Sequence, residues 1–333
     1  MSNDLSRFTE SLRKGVTALI SVLILTSCSP SYTLSRIDTT ASGAILWPGE
    51  PERPRIRYLW SLQVVDYKEG KTLAEILAGV ENPSDPWESP ILLRPQGIYV
   101  DASRYYIADP GAARVTVINR ADLKTFHIFY ADAEGLLYPI SVVADREGNI
   151  YVSDPELRKV ISYRPDGRFR LFFEGEFKRP AALAIDRQRD RVYVADTLDH
   201  KIYIYTTSGK RTGELGRRGE GDGEFNYPGY LFVDREGFLY VSDSLNFRIQ
   251  VFSPDGEFIK KFGEPGDAYH TFDKPKGVAV DSEGHIYVVD SGRDMVKIFD
   301  RDGSLLLFFG ETGHDYGKFY LPTGIFIDEK DFI

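Results

Sequence analysis

Five histidines, a single cysteine and a recurring aspartate carry most of the reactive side-chain chemistry in this 333-residue sequence. His200, His270 and His314 could ligate zinc or iron if the chain gathered them at one place. No two of them stand at ligand-like spacing, so residues on a rim are the simpler reading. His127 and His285 fall in other positions and suggest nothing further. Asp109, Asp154, Asp196, Asp243 and Asp290 each close a Tyr-x-x-Asp run. A ring of such carboxylates could hold cations. A carboxylate at the same turn of every unit is more simply a cap, and most are followed by a base or its substitute: Arg114, Arg158, His200 with Lys201, and Arg248. Polar groups at buried turns need partners of this kind. No nucleophile elbow, phosphate loop, thiolate cluster or dinucleotide fingerprint is present. Arg217 and Arg218 lie in a glycine-rich stretch that opens no helix; they could meet an acidic partner or stay solvated.

What places these residues is a repeat. Ile98-Tyr-Val-Asp101, Val142-Val-Ala-Asp145, Leu183-Ala-Ile-Asp186, Leu231-Phe-Val-Asp234, Val278-Ala-Val-Asp281 and Ile325-Phe-Ile-Asp328 are spaced 44, 41, 48, 47 and 47 residues apart. A period of this length, with several β-rich runs per unit, means units stacked side by side, because one unit cannot cover both of its faces. Each unit yields four strands, a to d. In the fourth these are Tyr230–Asp234, Phe238–Asp243, Arg248–Phe252 and Glu257–Phe262, joined at Arg235-Glu-Gly237 and Ser253-Pro-Asp-Gly256. Aspartate accepts amide hydrogen bonds and glycine takes positive φ, which is what such turns require. The linkers are patterned too: Gly216, Gly219, Phe225, Pro228 recurs as Gly263, Gly266, Phe272, Pro275 and as Gly310, Gly313, Phe319, Pro322.

Asp243-Ser-Leu-Asn-Phe-Arg-Ile-Gln-Val-Phe-Ser-Pro-Asp-Gly256 and Asp196-Thr-Leu-Asp-His-Lys-Ile-Tyr-Ile-Tyr205 resemble the NHL repeat. The resemblance runs from about Leu93 to Ile333 and weakens in the first unit, at Asp109-Pro-Gly-Ala-Ala-Arg114. It implies an all-β fold: a β-propeller of four-stranded antiparallel blades, six of them, the last incomplete in this chain. Arg55–Leu62 is expected to supply the outer strand of that last blade, with its strands b and c beyond the sequence. In a propeller the b–c turns and d–a linkers share one face. That face would carry the candidate binding residues Arg114, Arg158, His200, Arg217, Arg218, Arg248, His270 and His314. The resemblance implies a binding or scaffold module for a protein, peptide or glycan partner, with no cofactor. The alternative it allows is a metal-dependent enzyme of lyase or lactonase type, using the three imidazoles.

The N-terminus carries a separate message. Arg13 and Lys14 precede the apolar run Val16–Leu25, which is short for a membrane span and suits a signal peptide. Leu25-Thr-Ser-Cys28 follows and resembles the lipobox of bacterial lipoproteins. That implies removal of residues 1–27 and a membrane anchor on acylated Cys28. With the only thiol consumed, the fold must close without disulfides. Ser29 leans the expectation towards the outer membrane of the cell envelope. Residues 28–52 read as a tether, 53–333 as the propeller, and 66–92 as an insertion in which Leu73, Ile76, Leu77 and Val80 recur at helical spacing. The net charge of −9 disfavours nucleic acid, whose affinity rests on neutralising phosphates.

Overall fold

The computed structural model describes residues 31–38, 45–48, 53, 55–68 and 92–333. Cys28 and the helix expected over Leu73–Val80 lie outside the described residues. Ser31–Asp38 pairs antiparallel with Trp60–Lys68 to form a small two-stranded unit of its own. The expected tether therefore contains a strand, Ser31–Asp38, and the start of the expected insertion, Asp66–Lys68, is strand as well.

The other unit holds five four-stranded antiparallel sheets in which every strand neighbours the next in sequence. Blade one is Gly97–Val100, Arg104–Asp109, Arg114–Asn119 and Thr125–Ile128. Blade two is Ser141–Ala144, Ile150–Asp154, Lys159–Tyr163 and Phe169–Phe172. Blade three is Pro180–Asp186, Arg191–Asp196, Lys201–Thr206 and Arg211–Leu215. Blade four is Pro228–Val233, Leu239–Asp243, Arg248–Phe252 and Phe258–Phe262. Blade five is Pro275–Val280, Ile286–Asp290, Met295–Phe299 and Leu305–Phe309. Strands b and c are covered on both faces, which is why they read as nearly unbroken apolar runs. In blade four both are buried throughout, whereas strand d alternates and exposes Ile259 and Lys261. A lysine on an outermost strand discourages edge pairing with another molecule.

The core lies in the seams between blades. Phe225 and Phe252 of the fourth seat against Ala182, Ala184 and Tyr193 of the third, and Phe272 and Phe299 seat against Ile249 and Val251. Burying an aromatic side chain of this size contributes about 1.5–3 kcal/mol. Linker glycines make room for these rings. A Cβ on Gly263 would stand 2.4 Å from the Phe272 ring, and its φ of 99° already favours glycine.

Six inner segments close the hub. Gly277 N–H donates to Thr323 O at 3.0 Å, and Thr323 Oγ1 donates to Gln96 O at 3.4 Å, so residues 323–328 join blade five back to blade one. Phe326 stands edge-on to Tyr99 at 4.9 Å, and Asp328 pairs with Arg120 of blade one. Leu46–Trp47 forms a ladder with Ile56–Arg57. Trp47 lies 5.4 Å from Phe309 of blade five, as Phe299 lies 5.0 Å from Phe262 one seam earlier. This short pair thus stands where strands c and d of a sixth blade belong. That corrects the expectation for Arg55–Leu62, which was to give one outer strand: only Ile56–Arg57 packs there, and Trp60–Leu62 pairs with Arg36–Asp38 instead. Leu46 and Trp47 were read as tether because so short an apolar stretch has no period of its own.

Candidate functional site

Antiparallel order places the d–a linkers and b–c turns at one end of the blades, the linker face, and the a–b and c–d hairpins at the other, the hairpin face. The aspartates of the Tyr-x-x-Asp runs organise the linker face. Asp109 accepts the Leu93 and Arg94 amides at 2.7 and 2.8 Å, Asp154 those of Leu137 and Tyr138, Asp196 those of Lys178 and Arg179, and Asp290 those of Asp273 and Lys274. Each carboxylate therefore pins the linker that enters its own blade. The tyrosine three residues earlier reaches the other end. Tyr106, Tyr151, Tyr240 and Tyr287 donate their hydroxyls to Asp101, Asp145, Asp234 and Asp281 of the a–b turns. Those pairs were legible, since both series recur in step, but the sequence reading did not connect them.

The basic residues divide sharply. Arg248, buried beside Asp243, donates to its carboxylate at 2.8 Å and to the carbonyls of Glu220, Gly221 and Glu224. Arg114 is fully buried opposite Asp109 in the ladder. His200 is buried in a left-handed turn, with φ 54°, and its Nδ1 accepts the Tyr227 amide at 3.3 Å. None of the three presents a contact surface to a partner, because each is enclosed by packing and turned to an internal role. That removes them from the candidate face. The pairing expected between Asp154 and Arg158 also fails: Arg158 takes a left-handed turn position and is exposed. In blade five the role of the paired base falls to Lys297, whose Nζ reaches Asp290 at 2.7 Å with both side chains buried.

Arg158, Arg217, Arg218, His270 and His314 are exposed. Arg217 pairs with Glu224 at 2.8 Å, His270 stands 3.8 Å from Glu264, and His314 packs on Tyr320. Among the described residues no three His, Cys, Asp or Glu side chains gather as a metal site would require.

The linker face does gather something else. Leu93, Leu137, Leu198, Tyr227, Leu245, Tyr320 and Leu321 are all exposed on it, in blades one to four and at the sixth inner segment. Leu198 and Leu245 occupy matching b–c turns, and the others sit within two residues of a proline, Pro95, Pro139, Pro228 or Pro322, at the entry to an inner segment. The hairpin face carries charged turns such as Asp234-Arg-Glu-Gly237 and Arg301-Asp-Gly303.

Comparison with known proteins agrees with this architecture. A sequence family described as NHL repeat matches residues 272–299, and one described as a 6-bladed β-propeller matches residues 177–238. The protein brain tumor of Drosophila melanogaster is 33% identical over 78 residues, which is 23% of this chain and 7% of that protein. The structure is similar to one in a nidogen/laminin complex, with a TM-score of 0.55 and 18% identity over 70% of this chain and 84% of that one. It is also similar to a catalytically inactive virginiamycin B lyase from Staphylococcus aureus with quinupristin, with a TM-score of 0.53 and 14% identity over 71% and 75% of the two chains.

Proposed function

We propose that this chain, a β-propeller built of NHL repeats, is a non-catalytic docking module whose linker face binds a protein partner and which is held at a cell-envelope membrane by acylated Cys28. The observation that carries the reading is the group of exposed leucines and tyrosines that the linker face gathers from successive blades, whereas the outer strands expose Ile259, Leu306 and Phe308 singly along their edges. Protein interfaces have cores depleted of charge and enriched in aromatic side chains. Here the backbone at Leu93, Leu137 and Leu198 is already fixed by Asp109, Asp154 and Asp196, which accept the Leu93, Leu137 and Asp199 amides, so ordering it on binding costs little. Loops held by a rigid scaffold are where recognition concentrates. The nidogen/laminin complex is by name an assembly of proteins, which supports the same use of the fold. The likeness to the lyase carries the fold alone, and His200 is already engaged by the Tyr227 amide. The anchor rests on Cys28 following the apolar run Val16–Leu25, and Ser29 favours the outer membrane.

The test uses the tagged full chain in cells of its own source. Cross-linked and purified, it should carry a protein in fixed ratio, lost when Leu198 and Leu245 are both changed to Ser while the melting temperature holds. Cys28→Ser should move the protein from the membrane to the soluble fraction. A partner retained at the same ratio by the double variant would overturn the docking face, and membrane retention of Cys28→Ser would overturn the anchor.

A further inference from the structure

The six inner segments surround a channel of about 700 Å³, a size that suits a small-molecule ligand. Its wall is apolar through the middle: Ile98, Val142, Leu231, Phe232, Val278 and Phe326 line it. Three arginines mark its hairpin-face mouth. Arg146, Arg187 and Arg235 each follow the a–b turn aspartate of consecutive blades, two to four, and all three line the channel.

The carboxylates near this mouth are engaged in their own turns. Asp145 accepts from the Glu147 and Asn149 amides, the Asn149 side chain and the Tyr151 hydroxyl. Asp186 accepts from the Gln188 and Arg189 amides and the Arg189 guanidinium. Asp234 accepts from three amides and Tyr240, and Asp328 from two amides and Arg120. Arg235 donates to Glu329 O at 3.0 Å and reaches Asp331 at 3.2 Å. Arg187 is held far more loosely. It stands 3.8 Å from the exposed Glu329 carboxylate and 3.4 Å from Asp145 O, and its Nε is buried with no hydrogen-bond partner. The side chain is 30% exposed, and its two terminal nitrogens, held only at these long distances, are open to a shorter, charge-assisted bond from an anion.

We propose that this channel binds a small anionic amphiphile from the hairpin face, its carboxylate or other acidic head on Arg187 with Arg146 beside it, and its apolar body between Ile98, Phe232 and Phe326. The site is separate from the linker face and does not depend on that face's role. Glu329 competes with the ligand head for Arg187, so it lowers the affinity.

Calorimetric titration of the full chain with octanoate tests the site, with octanol and octylammonium as neutral and cationic counterparts. Octanoate should bind saturably at one site and more tightly than either counterpart. Arg187→Gln should weaken it about tenfold. Glu329→Gln should strengthen it several-fold, a gain that loss of folding cannot mimic. Ile98→Trp, which fills the wall and leaves the arginines in place, should abolish binding with the β circular dichroism unchanged. Equal binding of octanol and octanoate, no response to Glu329→Gln, or no saturable binding by the parent chain would each overturn the proposal.

Discussion

Asp243 and Arg248 face each other across the b–c turn of blade four at 2.8 Å, with side chains 0% and 7% exposed. Arg248 also ties down three carbonyls of the linker between blades three and four, so one guanidinium joins a turn to the strap that enters the same blade. Removing one member of such a pair leaves the other charge buried and unmatched. Arg248→Met should cost about 3–5 kcal/mol in chemical denaturation. Arg217→Met, which breaks an exposed pair with Glu224, should cost less than about 1 kcal/mol. Similar losses for the two variants would contradict this division of the basic residues.

His200 acts as a left-handed turn residue that caps an amide of the next linker, and Asp294 does the same work two blades further round, in blade five. Its Oδ1 accepts the Leu321 amide at 2.6 Å, and its φ is 53°. Histidine, asparagine and aspartate tolerate that backbone region better than β-branched residues. His200→Asp should therefore leave the melting temperature nearly unchanged, while His200→Val should destabilise by about 2 kcal/mol or more from strain and a lost cap. If valine is tolerated as well as aspartate, the capping role is wrong.

His127 supplies a pH signature. Burial first, and then the neighbouring Arg114 charge, lower its pKa from 6.5 to about 4. Its Nδ1 meets Thr116 Oγ1 at 3.1 Å. The folded state thus holds the ring neutral where the unfolded chain would protonate it. The stabilisation is complete above pH 6.5 and is lost as the pH falls towards about 4. Thermal melts across that window should show a fall in the parent chain that is shallower in His127→Gln. Parallel curves for the two proteins would contradict the assignment.

The blades were readable from sequence because their signals are local and repeated. Strand c of blade four, Arg248–Phe252, stands where the pattern puts it, and Asp243 caps Asn226 as a repeated turn carboxylate should. What could not be read is which bases turn inward. Arg158 and Arg248 follow their aspartates at similar distances, yet one is exposed and the other enclosed, because Arg158 falls on the left-handed turn position that Phe247 takes in blade four, and Lys159 stands opposite Asp154 as Arg248 stands opposite Asp243. The seat of Trp47 was equally silent. Its partner Phe309 lies more than half the chain away, and two apolar residues carry no period to announce it.

The apolar linker face was missed for a related reason. Leu198, Leu245 and Leu321 look like core residues in the sequence, and only the folded blades show them outside.

A photo-reactive amino acid placed at Leu245, on the linker face, and separately at Asp255, on the hairpin face of the same blade, tests the docking assignment most directly. Irradiation of living cells should give a discrete protein adduct from position 245 and none from position 255. An adduct of the same mass from position 255 alone, or from both positions in equal yield, would contradict it.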